Sequence, residues 1–500
     1  MKNIILLLCL FSFSSILFSQ ELVGIFDKTA NQLPEKVAKI LGTKFIEGGT
    51  FSYGSLPFDP ISCNLEKGDS DTFLMNSPVG KGIITIKGFN IGVTEVTNRQ
   101  YREFVNWVRD SIAHATLGHY IKVGDKQYID WSKKLDWEKN KGLEQLFTKT
   151  NAQYHSKSSL DNSKLTYSSG KYSDKPLNIY PDTICWVRDF PYADNQVLSV
   201  NYFSHPAYDE YPVVGVSWEQ ALAYCDWKSE QVNVLLRKMG YSEITITLPS
   251  EIHWECAATS EESDKYRTEV GKNYFAWNKS YQSIIDKNGN YLANFGPIDD
   301  ENGIRIKDYF ETGDNSAIYC SKVRTFPPYN GMYDLAGNVD EWLLDRAMPT
   351  VMDLCHYALG DNSYSKKIVK RANLNIEPDR LCNYFYDSIV VKKDEAAYRN
   401  LMRAVLEEEL ADTTSQQYVQ KSNQSEKYAF LKKYSLDQIL DELTTEFTRL
   451  TNDDRRIAKG GSWNSDLANV ATGSRRAYNQ NRGYSFVGFR IACSSDQKIK

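Results

Sequence analysis

The sequence predicts short strands and a few amphipathic helices joined by long irregular connections, with no internal repeat and no heptad run. Three observations carry this. Strand-like runs are brief and punctuated by Gly or Pro, as in Phe45–Phe51, Lys81–Val93 and Thr245–Leu248. Three helices open on capping boxes, Thr97 with Gln100, Ser217 with Gln220 and Ser435 with Gln438. Two long stretches, residues 113–178 and 344–456, break the pattern of the segments around them. Aromatic residues make up 13% of the chain, and amphipathic Tyr and Trp rings suit a loop-rich fold in which they pack and still hydrogen-bond.

Taken in order, Met1–Ser19 reads as a secretory signal: Lys2, a short apolar run and small residues before a cut near Ser19–Gln20. Cys9 lies inside the run and not at the cut, so no lipid-attachment signal is evident, and the mature chain is expected to be exported without its own anchor. Phe45–Phe51 predicts strand, turn, strand, and Lys81–Val93 a further hairpin. Tyr101, Phe104, Val105, Val108 and Ile112 then fall on one helical face. Residues 113–178 have the Lys-, Ser-, Asn- and Tyr-rich composition of a surface insertion. Tyr211–Val216 reads as a short buried strand ahead of a helix that turns Ala221, Leu222 and Cys225 inward, and Pro249-Ser-Glu starts a short helix carrying Trp254. In residues 344–456 two helices show apolar rows, Ala397, Leu401 and Val405 with Met402, Leu406 and Leu410, and Leu436, Ile439, Leu440, Leu443, Phe447 and Leu450. Their apolar faces are expected to pack on the main domain rather than to present a groove to a partner. Ala458–Trp463 and Val487–Cys493 read as closing strands.

Composition excludes several functions. The 59 Lys and Arg against 64 Asp and Glu give a net charge of −5 with both signs interspersed, which argues against nucleic acid as a partner. Six His form no HExxH or HxxxH pattern, and no CxxC pair occurs among the cysteines left once the signal is removed.

The stretch with the most chemistry is GMYDLAGNVDEW, Gly331–Trp342. It sets Asp334 and Glu341 on either side of a Gly337–Asn338 turn. Carboxylates plus inward carbonyls make a ligand set for a hard cation. A solvated turn pinned by Trp342 fits the same residues. In the closing loop, Arg475, Arg476 and Arg482 suit either a carboxylate or glycan ligand or pairing with loop acids.

FIEGGTF, VTEVTNRQYREFVNW, YPVVGVSWEQALAYCDW, LPSEIHWECA, FPPYNGMYDLAGNVDEW, KGGSW and GFRIA occur in this order, and together they resemble the formylglycine-generating-enzyme (sulfatase-modifying factor) family. The resemblance covers about half the chain. It implies an α+β fold, related to C-type lectins and low in regular secondary structure. Here the fold runs in three parts, residues 20–112, 179–343 and 457–495, with 113–178 and 344–456 as insertions. It also implies structural calcium. One ion would be held by Asp334, the carbonyls of Gly337 and Val339, and Glu341, and a second by Asn294, the Phe295 carbonyl and Asp314, with Ser316 nearby. The family's copper-binding cysteines fall at Ser465 and Val470 in this sequence, and Asp340 replaces a usual aromatic, so no copper oxidase and no enzyme activity is expected. The family often joins the second capped helix to the last strand by a disulfide, which implies Cys225–Cys493; the residues alone fit two buried thiols equally well.

A narrower resemblance, carried by Glu21-Leu-Val-Gly, Tyr101–Ser111, Tyr180-Pro-Asp-Thr, Trp186–Phe190 and Tyr202–Ala207, is to the GldK, GldJ and PorK group of gliding-motility and type IX secretion proteins. It implies a scaffold at the periplasmic face of the outer membrane, oligomeric and bound to a ring partner of the GldN/PorN type. The competing expectation is a ligand-binding protein or non-copper enzyme that uses the family's groove.

Overall fold

The computed structural model describes residues 32–53, 72–74, 82–148, 160–168, 175–191, 195–259, 275–276, 285–288, 290–296, 319–346, 362–381, 384–390, 392–413, 435–451, 454–465 and 467–494. Met1–Ser19, which the sequence suggests is a signal, lies outside them, as do Asp314 and Ser316.

The helices are α1 (Glu35–Leu41), α2 (Asn98–Thr116), α3 (Cys185–Asp189), α4 (Gln196–Asn201), α5 (Trp218–Lys238), α6 (Glu251–Thr259), α7 (Asn362–Arg371), α8 (Glu395–Thr413) and α9 (Leu436–Thr451). The first strands are β1 (Thr43–Ile46), β2 (Gly49–Tyr53), β3 (Thr72–Leu74), β4 (Gly82–Ile86), β5 (Phe89–Gly92), β6 (Tyr120–Val123), β7 (Lys126–Ile129), β8 (Thr166–Tyr167) and β9 (Leu177–Asn178). They are followed by β10 (Thr245–Thr247), β11 (Asp340–Arg346), β12 (Arg455–Lys459), β13 (Arg476–Asn479), β14 (Val487–Gly488) and β15 (Ala492–Ser494). One sheet has the order β1-β5-β15-β10, a second β14-β11-β12-β13-β3, and three two-stranded ribbons complete the set. Helices and mainly antiparallel strands without βαβ alternation make this an α+β fold.

All three capping boxes form, the last with Ser435 N donating to Gln438 Oε1 at 2.8 Å and Gln438 N to Ser435 Oγ at 3.2 Å. The Thr97 and Ser217 hydroxyls accept from the backbones of Gln100 and Gln220, whose side chains accept in return from the cap N–H groups. The periodic face of α2 buries Tyr101, Phe104, Val105 and Val108 against α5 and the closing strands. Tyr101 stacks on Tyr224 at 5.7 Å and donates its hydroxyl to the Ile179 carbonyl at 2.9 Å, so a large ring is buried with its polar end satisfied.

Three expectations change. The two early hairpins are not made within themselves: β1 pairs with β5 and β2 with β4, with Ile46 opposite Phe89 and Gly49 opposite Ile86. The result is one antiparallel ribbon bent where Gly48 meets the Gly88 backbone; a Cβ on Gly48 would sit 2.7 Å from Gly88 N. Tyr211–Val216 is buried but is not a strand. Gly215 has φ +73°, and the segment's hydrogen bonds go to several neighbours: Val213 N to Val96 O, Gly215 N to Tyr484 O, and Asp182 N to Gly215 O. Third, the helices within residues 344–456 bury one another rather than packing on the rest of the domain. Ile368, Leu381, Phe385, Ile389, Tyr398, Leu401, Met402, Ile439, Leu440 and Phe447 belong to a cluster drawn wholly from this stretch. Tyr398 stacks on Phe447 at 4.1 Å, and half-buried Arg399 and Arg403 bridge from α8 to the exposed Asp441 and Asp437 of α9.

Candidate functional site

The Gly331–Trp342 segment is a buried turn rather than a solvated one. Asp334, Gly337 and Asn338 all have positive φ (56°, 78° and 65°), the region Gly and Asn tolerate best. Gly337 is required there, since a Cβ would lie 2.2 Å from the Asn294 carbonyl oxygen. The turn is tied to distant segments: Gly337 N donates to Gly460 O at 2.8 Å, and Asn338 N to Asn294 O at 2.7 Å. The Asn338 side chain accepts from Ser321 N at 2.8 Å and donates to Glu95 Oε1 at 2.9 Å. Trp342 is fully buried and donates its indole N–H to Val216 O at 3.0 Å.

Glu341 faces into the core. The fully buried Arg490 grips both its carboxylate oxygens, with Nε to Oε2 at 2.5 Å and the other bond from Nη2, and Trp254 Nε1 donates to Oε2 at 2.8 Å. Arg490 also donates to the carbonyls of Gly92, Tyr333 and Asp334 at 3.0, 3.1 and 3.3 Å. A bidentate, hydrogen-bonded buried pair of this kind is worth breaking only at high cost, on the order of 3–5 kcal/mol. Burial works against the Arg490 charge, but Glu341, Glu95 and Asp334 outweigh it and hold the guanidinium above its ordinary range.

Asp334 and Glu95 are less fully satisfied. Arg324 N donates to Asp334 Oδ2 at 2.9 Å, whereas Asp334 Oδ1 and Glu95 Oε2 are buried with no hydrogen-bond donor. Burial, reinforced by Glu341, raises Asp334 to about 6, although Arg324 N and Arg490 oppose it. Burial and the neighbouring Asp334 and Glu341 push Glu95 well above the usual carboxylate range against the pull of Arg490. Three acids around one arginine need a proton or a cation between Glu95 and Asp334. The residues therefore fit a hard cation, with a donor set that differs from the one the sequence suggested. Asp334 offers a free oxygen and Glu341 does not, while Glu95, which sequence reasoning passed over as part of VTEVTN, takes its place. The only signal was an acid between two Val-Thr pairs, directly before the Thr97 cap.

Asn294 is fully buried beside this turn, and its Nδ2 donates to Tyr319 O at 2.8 Å and Ser321 Oγ at 3.0 Å. Phe295 is buried against Tyr291. Asp314, the acid expected for this second site, lies outside the described residues. Among the described residues no cluster of three or more His, Cys, Asp or Glu side chains is arranged to ligate a metal.

At the two positions where the sequence resemblance would set copper-binding cysteines, the chain carries Ser465 and Val470. Ser465 is 1% exposed; its hydroxyl accepts from Ser462 N at 2.8 Å and lies 2.9 Å from Ser462 Oγ. Val470 is fully buried in an apolar cluster with Trp254, Leu335 and Ile457. Gly461, at φ +71°, leaves no room for a side chain because a Cβ would be 2.8 Å from Val470 Cγ2. Asp340 accepts from Gly461 N at 3.0 Å, from the Tyr478 hydroxyl at 2.7 Å and from Arg476 Nη1 at 3.1 Å, fastening the strand turn to β13.

The closing-loop arginines pair with acids. Arg475 meets Glu251 at 2.7 Å, Arg476 meets Asp340, and Arg482 meets Asp189 at 3.0 Å. Lys459, fully buried, joins the first of these by donating to Glu251 at 3.2 Å and Glu255 at 2.7 Å. Cys493 is a free, buried thiol, so the expected Cys225–Cys493 disulfide is not formed. A two-residue shift along a strand preserves the face but moves the Cα by about 6.7 Å, more than the tolerance of disulfide geometry. Burial pushes the Cys493 thiol up to about 12.

A single-chain α+β fold with a buried, glycine-dependent acidic turn and two closing sheet strands defines the class. The Sulfatase-modifying factor enzyme 1-like domain (FGE-sulfatase) description matches residues 29–495, and the chain belongs to that family. Curated relatives include the inactive C-alpha-formylglycine-generating enzyme 2 of Bos taurus, 29% identical over 147 residues, 29% of this chain and 36% of that protein. The formylglycine-generating enzyme of Mus musculus is 28% identical over 136 residues, 27% of each chain. The matched segments thus span about a third or less of those relatives. Among solved structures, PvdO of Pseudomonas aeruginosa aligns over 91% of this chain and 94% of its own, with a TM-score of 0.35 and 14% identity. Treponema denticola variable protein 1 aligns over 91% and 99%, with a TM-score of 0.30 and 15% identity.

Proposed function

We propose that this chain is a non-catalytic scaffold component of the gliding-motility and type IX secretion machinery at the periplasmic face of the outer membrane. The observation that carries the non-catalytic part is the pair Ser465 and Val470. A buried hydroxyl in a serine–serine hydrogen bond and a buried aliphatic side chain supply no thiolate for copper and no redox nucleophile. Asp340 reinforces this by tying the adjacent turn shut. The placement in the secretion machinery rests on the motifs shared with the GldK, GldJ and PorK group, and a ring partner of the GldN/PorN type follows from it. Asp334 and Glu95 would hold a structural calcium whose charge offsets the buried acids and fixes the turn against the Val93–Asn98 segment. The ion has no reaction to perform.

The test is the native mass of tagged protein gently extracted from the cell envelope, with co-purifying proteins identified. A megadalton-scale assembly containing secretion-system subunits is expected. A lone monomer would overturn the scaffold reading and turn attention to ligands of the groove. Copper titration is the second arm: binding at Ser462–Val470 that supports cysteine oxidation would overturn the non-catalytic reading.

A further inference from the structure

We infer that the β6–β7 hairpin in the first insertion is a membrane-contact element that enters the interface of an anionic lipid surface. The inference stands independently of what the turn or the old copper position does. The ribbon runs Tyr120–Ile129 around a Gly124–Asp125 turn, pairing Tyr120 with Ile129, Ile121 with Tyr128, Lys122 with Gln127 and Val123 with Lys126. Among the described residues it joins no larger sheet. Its large side chains stand in water: Tyr120 is 41% exposed, Ile121 45%, Val123 62% and Tyr128 50%. Contiguous apolar exposure on a ribbon that buries little of its own surface is costly in water and marks a contact element.

Register decides the occupant. Strand alternation puts Ile121, Tyr128, Val123 and Lys126 on one face, and Tyr120, Ile129, Lys122 and Gln127 on the other. Each face therefore carries apolar residues and one lysine. A protein partner would cover one face and leave the other wet. A lipid interface receives both at once, with the apolar side chains below the headgroups and the lysine ammonium groups reaching back to phosphate. The charge agrees: residues 119–134 hold four lysines against two aspartates, in a chain whose net charge is −5. One of those aspartates, Asp130, is already engaged by Ser132 Oγ at 2.6 Å.

The ribbon is also held firmly enough to act as a wedge. His119 N donates to His114 O and Asp130 N to His119 O, both at 2.9 Å, and the two imidazole Nδ1 atoms lie 3.0 Å apart. Trp131, 47% exposed at the hairpin base, stacks on Trp107 of α2 at 5.5 Å. Trp131 and the tyrosines are the residue types that favour the headgroup level.

The experiment is co-sedimentation of the purified full-length protein with phosphatidylcholine vesicles, with and without about 30% phosphatidylglycerol. The wild type is expected to bind the anionic vesicles, with Trp131 emission moving to the blue. Ile121→Asp with Val123→Asp should weaken binding about tenfold or more, and Lys122→Glu with Lys126→Glu by a similar factor. All four side chains are exposed, so circular dichroism should match the wild type. The inference is overturned if the wild type binds neither vesicle, if both double variants bind as the wild type does, or if the aspartate variant abolishes self-association in sedimentation equilibrium while vesicle binding is absent.

Discussion

Among single residues, the buried acids Glu95 and Asp334 have the most to reveal, because their two undonated oxygens can be satisfied by a proton, a cation or an amide. Asp334→Asn supplies the amide. It should donate to Glu95 and remove one negative charge from around Arg490. Calcium at about a hundred times its Kd would add roughly 3 kcal/mol to the wild type, so chelation should lower its Tm by several degrees. Asp334→Asn should melt at the same temperature with and without chelator. Equal melting of the wild type under both conditions would remove calcium from the site. A second titratable residue makes a separate prediction. His253 packs edge-on against Phe89 at 4.6 Å, and burial lowers its pKa to about 4. The unfolded imidazole titrates near about 6.5, so the unfolded chain takes up the proton first. Stability is therefore complete above about pH 6.5 and declines as pH falls toward 4, by on the order of 2 kcal/mol. Urea unfolding of wild type and His253→Gln from pH 7 to 4 should show the decline shrinking in the variant. Parallel curves would mean that this imidazole is not the source. The sequence made Asp334 and Glu341 visible as a pair but could not show that Arg490, 149 residues further on, claims Glu341. That division of acids depends on long-range packing, which spacing does not encode.

Among elements, the helices were legible and the strand pairings were not. A capping box is local: Ser217 and Gln220 find each other within one turn, and α5 begins where they stand. Ser217→Ala should lower unfolding free energy by about 1 kcal/mol in denaturant melts, and replacement by Asp should recover most of it. A strand finds its partner through tertiary contacts, so Phe45–Phe51 looks like a hairpin in sequence while β1 and β2 pair with strands that lie beyond residue 81. The last strand illustrates the same limit. Its Cys493 shares an apolar core with Cys225, which is why both readings of the two thiols were open. In denaturant without reductant, peptide mapping after alkylation should find both labelled; a linked Cys225–Cys493 peptide would contradict the structure. In native protein Cys493 should react far more slowly than an exposed thiol, since burial keeps it protonated.

Over the whole molecule, the segment between β11 and β12 is a long connection that carries a hydrophobic core of its own. It leaves from the end of β11 and returns at the start of β12, and these two strands are antiparallel neighbours with Arg346 opposite Arg456. The segment is thus an extended hairpin connection with its own core, to which the helical rows contribute Leu401, Met402, Leu406, Ile439, Leu440, Leu443 and Phe447. Loop-closure entropy changes only slowly with length, so replacing residues 347–454 by a short Gly- and Asn-containing turn should preserve the main fold. The shortened chain should keep the tertiary circular dichroism of its buried tryptophans and the calcium response at Asp334. If the insertion supplies partner contacts, the same deletion should release the protein from the large envelope assembly while leaving it folded. Retention in the assembly would move the contact surface to the first insertion or the domain itself. Loss of the tertiary signal would show that the helical unit supports the β11–β12 pair it grows from.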